Sequence, residues 1–156
     1  MRSVRKRRLQ RKTDYKARLA LLKSPLPRLV IRKTNRYVIA QIVSSEIAQD
    51  KVLVGKSTRD LLSNGWPEDK KGSLKSLKAA YELGKLIANE VKDKKIEQTI
   101  LDIGMHRNIH KSRIYAVVKG AVDSGLNVKV DPEVLPSMSE GKESKEKEQK
   151  IEEEQK

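Results

Sequence analysis

Asp102, His106 and His110 are the residues whose types and spacing most invite chemistry. One carboxylate and two imidazoles could ligate a zinc ion. An i, i+4, i+8 set converges only on a helix, however, and Gly104 after an apolar strand argues against a helix there. No metal site is expected. A two-metal nuclease would need several carboxylates around Asp102 to offset the charge of its ions. The segment 28–33, read below as the first strand, offers Arg28, Arg32 and Lys33 and no acid. Neither catalysis nor a cofactor is expected.

Positive charge is the stronger signal. The chain of 156 residues carries 35 Lys and Arg against 21 Asp and Glu, a formal net of +14. Such an excess repels itself unless a polyanion neutralises it. Its position is more telling than its size, because residues 1–36 hold fourteen Lys and Arg and one acid, Asp14. The candidate RNA contacts of the arm are Arg5, Lys6, Arg7, Arg8, Arg11, Lys12, Tyr15, Lys16 and Arg18. The run continues through Arg28 to a turn holding Arg32, Lys33, Thr34, Asn35 and Arg36, three cations and two small hydrogen-bonding side chains able to clamp phosphates. A second loop, Gly104 to Arg113, supplies Arg107, Lys111 and Arg113 as phosphate partners and His106 and His110 for stacking on bases. Ser112 is placed to cap the next helix, whose free N–H groups favour an anion. Ser57, after the third strand, joins the same set. With one Trp, four Tyr and no Phe, extensive stacking is excluded, so electrostatics and shape must dominate. The competing readings are a solvated tail or localisation signal for the arm, charge protecting a sheet edge for the turn, and a DNA-packaging or membrane-surface protein for the whole.

These groups need a scaffold, and the apolar pattern supplies one. Tyr15, Leu19 and Leu22 recur at helical spacing between Thr13 and Lys23, and Ser24-Pro25-Leu26-Pro27 stops that helix. Arg28–Lys33 and Arg36–Ser44 read as strands joined by a two-residue Thr34-Asn35 turn, Asn tolerating the positive φ such a turn demands. Both faces of the second strand are apolar, which predicts layers on both sides. A third strand is expected over Lys51–Lys56, then a short helix and loop over 57–73, a helix over 74–92, a strand over Thr99–Ile103, a helix over Ser112–Ser124 and a strand over Asn127–Val130. The resulting β-β-β-α-β-α-β order predicts an α/β fold, a mixed sheet with packed helices. The expected divisions are a basic arm and short helix (1–25), an α/β RNA-binding domain (26–136) and a flexible charged tail (137–156), the last with seven Glu and five Lys. No apolar stretch approaches the roughly 20 residues of a membrane span. The absence of cysteine excludes disulfides and thiolate metal sites. A soluble, unexported, cytoplasmic protein is the expectation.

Several segments taken together resemble a known family. They are Lys12-Thr13-Asp14-Tyr15, Arg18 to Ser24, Pro27-Arg28-Leu29-Val30, Arg32-Lys33-Thr34-Asn35-Arg36, Ala40-Gln41, Gly65-Trp66 and Leu101-Asp102-Ile103-Gly104. Ser112-Arg113-Ile114-Tyr115-Ala116, Lys119 to Asp123 and Gly125-Leu126 look like that family's final helix. The chain resembles the universal large-subunit ribosomal protein eighteen in its archaeal form. The resemblance implies a ribonuclease H-like motif without nuclease acids. It also implies a structural role in the large ribosomal subunit, in which the protein binds 5S ribosomal RNA and attaches it to the large-subunit RNA. The site would be the central protuberance, beside ribosomal large-subunit protein five and other proteins there. It further implies RNA contacts from the arm, the first hairpin and the His106–Arg113 loop. Where the family's bacterial branch usually has Tyr-His-Gly-Arg, this chain has His110-Lys111-Ser112-Arg113, which keeps Arg113 in place and changes its neighbours.

Overall fold

A computed structural model describes residues 6–10, 12–47, 49–94 and 96–137. Arg5, Arg11 and the tail from 138 onward lie outside the described residues.

The arm forms one turn, α1 (Lys6–Leu9), and then α2 (Tyr15–Leu22). Asp14 starts α2 by accepting the N–H groups of Lys16 and Ala17 at 2.9 and 3.2 Å. The body follows as β1 (Arg28–Lys33), β2 (Val38–Glu46), β3 (Gln49–Ser57), α3 (Leu77–Asp93), β4 (Gln98–Asp102), α4 (Arg113–Asp123) and β5 (Asn127–Val128). The five strands make one mixed sheet in the order β3-β2-β1-β4-β5. β2 runs antiparallel to both its neighbours, while β4 is parallel to β1 and β5. The α/β class and the order of elements are as the sequence predicts.

Alternation along β1 sends Leu29 and Ile31 to one face and Arg28, Val30 and Arg32 to the other. Leu29 and Ile31 pair with Ile42 and Ala40 of β2 and close against Leu83, Ile87 and Val91 of α3 and Val117, Val118 and Ala121 of α4. α3 and α4 cross at glycine. A Cβ on Gly84 would overlap the Val117 carbonyl oxygen, and one on Gly120 would overlap that of Tyr81.

The opposite face departs from expectation. Its cover is α2 and the segment of the arm before it; no residue of α2 is buried, and Leu19 of the expected apolar stripe is 60% exposed. A cavity of about 580 Å³ remains between α2 and Val30, Gln41, Val43 and Val52.

The first hairpin differs too. β1 ends at Lys33 and β2 begins at Val38, so the connection is the four residues Thr34–Tyr37 rather than two. Thr34 is the reason. Its N–H and its hydroxyl both donate to the Tyr37 carbonyl, at 2.9 and 2.7 Å, and the hydroxyl accepts the Tyr37 N–H at 3.1 Å. This closure needs no left-handed residue, and Asn35 is not one; among the described non-glycine residues only Ile47 and Lys111 have positive φ. α3 starts three residues later than expected because the Ser76 side chain accepts the Ala79 N–H, and 57–73 contains two short 3-10 turns, Asp60–Ser63 and Glu68–Ser73.

Candidate nucleic-acid interface

The cations that look alike in sequence divide in the structure into those bonded within the protein and those open to a partner. Arg28, Arg32 and Arg18 belong to the first group. Arg28 Nη1 donates to Asp102 Oδ2 at 2.9 Å and Nη2 to Asp50 Oδ1 at 2.8 Å. Arg32 Nη2 takes Asp102 Oδ1 at 2.9 Å, and Arg18 Nη2 takes Asp50 Oδ2 at 2.8 Å. The result is a chain of alternating charge, Arg18–Asp50–Arg28–Asp102–Arg32, laid across the open face and tying α2, β3, β1 and β4 together. Arg28 is 4% exposed, so its place in the expected contact set is corrected: burial and two carboxylates keep it from a phosphate. Burial works to raise the Asp50 carboxyl, but the Ser45 hydroxyl bond and the charges of Arg28 and Arg18 outweigh it and hold the group below its ordinary value.

Gly104 makes room for this chain. Its left-handed φ of 60° turns the backbone so that its N–H caps Asp102 Oδ1 at 2.9 Å, and a Cβ there would press on the Arg32 guanidinium. Asp102 therefore anchors two arginines and a turn. Among the described residues no three His, Cys, Asp or Glu side chains converge as a metal site requires.

The second group gathers at the end of the sheet where β1 and β4 finish. Lys33, Arg107, Lys111 and Arg113 line one shallow cleft of about 290 Å³ together with Leu77, Ile109 and Ile114. None of the four makes a side-chain hydrogen bond or ion pair with another described residue, and neither does Arg36. Ser112 stands in the N-cap position of α4 with extended backbone but makes no capping bond, and its buried Oγ has no partner. The expected cap is therefore positional only, which leaves the first-turn N–H groups of α4 without a side-chain acceptor.

His106 does something the sequence reading missed. Its Nε2 accepts the backbone N–H of Lys33 at 3.0 Å, across 73 positions of chain. Burial lowers its pKa, and the charges of Arg32 and Lys33 lower it further. His110, Arg107, Asn35 and Arg36 are exposed, and Thr34 is half-buried with its hydroxyl used inside the turn. Ser57 is half-buried, its Oγ accepting the Arg59 N–H at 3.3 Å. In the arm, Lys6, Arg8, Lys12 and Lys16 are exposed, Tyr15 is half-buried, and Arg7 donates to Thr13 Oγ1 at 2.9 Å.

Two comparisons bear on what this surface is. The family described as ribosomal large subunit proteins 60S L5 and 50S L18 matches residues 1–98. The large ribosomal subunit protein uL18 of Korarchaeum cryptofilum (strain OPF8) is 43% identical over 131 residues, 84% of this chain. The match spans 65% of that relative's length. The matched span takes in α1, α2, the three antiparallel strands, α3 and the start of β4. On sequence extent and identity together, the chain belongs to the ribosomal large-subunit protein L5 and L18 family.

Proposed function

We propose that the protein is a structural, non-catalytic constituent of the large ribosomal subunit that binds 5S ribosomal RNA and attaches it to the large-subunit RNA in the central protuberance. Ribosomal large-subunit protein five and other proteins there would be its neighbours, and the ribosome its cellular location. The observation that carries the reading is the cluster of four cations without a described counter-ion, Lys33 at the end of β1 and Arg107, Lys111 and Arg113 on the loop and first turn of α4 that face it. Four cations held together without a counter-ion repel one another, and a row of phosphates relieves that repulsion.

The arm at 1–25 supplies further cations to the same partner, while the body at 26–136 positions the cleft. His110, Asn35, Arg36 and the α4 N-terminus with Ser112 suit phosphate and sugar contacts more than base reading. The strand order supports a ribonuclease H-like motif, and Asp102 shows why no nuclease centre is proposed on it: Arg28 and Arg32 occupy both its oxygens. Membership of a ribosomal family makes RNA the favoured polyanion over duplex DNA or an anionic membrane.

The test is competitive binding of the purified protein to 5S RNA and to an unrelated structured RNA of equal length. A clear preference for 5S RNA is expected, with affinity falling roughly 10³–10⁵-fold from 50 to 200 mM salt if about 6–10 phosphates are neutralised. Equal affinity for the two RNAs would overturn the 5S assignment.

A further inference from the structure

We propose that His106 is a positioning residue which, as a neutral imidazole, locks the end of β1 to the 104–112 loop and so assembles Lys33 and the loop cations into one phosphate-binding edge. The inference deepens the RNA-binding reading and concerns how that site is built.

Pairing between β1 and β4 ends at Val30 with Asp102, three residues before Lys33. Past that point the side of β1 that faced β4 has no strand beside it, while β2 continues on the other side. Lys33 N–H is instead met by the His106 ring nitrogen at 3.0 Å. The ring is delivered there by a local turn: Gly104 takes positive φ, and the His106 N–H bonds the Ile103 carbonyl at 3.3 Å. The cleft lined by Lys33, Arg107, Lys111 and Arg113 thus has one wall on β1 and the other on the loop. The imidazole is the only side-chain hydrogen bond between Lys33 and that loop among the described residues.

An accepting nitrogen carries no proton, so the ring must be neutral with its hydrogen on Nδ1. Protonation at Nε2 would set N–H against N–H. It would also face a new charge toward the Arg32 guanidinium and the Lys33 ammonium of β1. Asp102 of β4 could not compensate, because Arg28 and Arg32 already share its two oxygens. The downward pKa displacement of His106, from burial first and then Arg32 and Lys33, agrees with this arrangement.

The consequence runs against simple electrostatics. If His106 acted only as a charge or a stacking ring, acidification would add a cation and tighten RNA binding. As a positioning acceptor it does the reverse, since protonation detaches Lys33 from the loop.

The experiment uses the full chain and 5S RNA at fixed ionic strength, with affinity measured from pH 7.5 down to pH 5, and hydrogen exchange of the Lys33 amide in the free protein. Wild type is expected to weaken about fivefold below pH 6.5, the size of one net hydrogen bond. His106→Gln, whose Oε1 accepts without titrating, should keep the pH 7.5 affinity and lose the pH dependence. His106→Lys should bind more weakly than wild type at pH 7.5 despite its added charge, and its Lys33 amide should lose protection. Affinity that rises or stays level toward pH 5 would overturn the proposal, as would equal Lys33 protection in wild type and His106→Lys. Absence of 5S binding at pH 7.5 would instead overturn the RNA reading, with Lys33 protection still deciding whether His106 forms the link.

Discussion

Arg28 and Asp102, 74 positions apart in the chain, form a buried ion pair at 2.9 Å whose side chains are 5% and 8% exposed. Asp50 and Arg32 continue the pair on either side, so neither central charge is without a counter-charge.

Removing Asp102 should therefore be costly. Truncating one partner of a buried pair leaves the other charge uncompensated, typically at about 3–5 kcal/mol. Arg28 keeps Asp50 and Ser45, which puts Asp102→Ala near the lower end, about 3 kcal/mol, read as a reduced denaturant midpoint at unchanged slope. A loss under about 0.5 kcal/mol would show that the pair contributes little.

The two groups of cations should respond oppositely to truncation. Arg113→Ala and Lys111→Ala should each lower RNA affinity and reduce the salt slope by about 1, with stability within roughly 0.5 kcal/mol of wild type. Arg28→Ala should destabilise the fold first. Thermal melts and salt-dependent filter binding on the same preparations separate the outcomes.

Asp50 gives a pH prediction with a definite sign. Its folded-state pKa lies below the ordinary carboxylate value, so its contribution is complete above about pH 4 and is lost as pH falls through the folded value. Melting temperature, followed by the fluorescence of the single Trp66, should fall less between pH 5 and pH 2.5 in Asp50→Asn than in wild type. Parallel curves would remove Asp50 from the acid response.

The α3–α4 crossing predicts a cost for the smallest side chain. Gly120→Ala places a methyl group against the Tyr81 carbonyl, so the helices must separate. Overpacking of this kind costs roughly 1–3 kcal/mol, more than the helix propensity that alanine gains. A higher melting temperature for Gly120→Ala would contradict the close crossing.

Much of this architecture could be read from residue patterns because its causes are local. Apolar spacing from Leu77 to Val91 marks α3, and Val38, Ala40 and Ile42 mark the core face of β2. The burial of Arg28 is not legible in the sequence because a charge run looks uniform until strand alternation divides it. Arg28 and Arg32 share a face with Val30, and their partners lie 22 and 70 or more positions away. A signal was present in Thr99-Ile100-Leu101-Asp102-Ile103, where a lone carboxylate in an apolar strand calls for a buried cation. His106 offered no such signal, since its acceptor role depends on where an unrelated strand ends. The shape of the hairpin was misread because the hydroxyl of Thr34, rather than the backbone freedom of Asn35, closes the turn.

That closure separates upkeep from display. Thr34 and the Tyr37 backbone satisfy one another, so the intervening Asn35 and Arg36 owe nothing to folding and stand exposed at the tip. The tip is therefore expected to act as a replaceable cassette for folding, in which residues can be exchanged or a short insertion grafted while the clasp below keeps the strands in register.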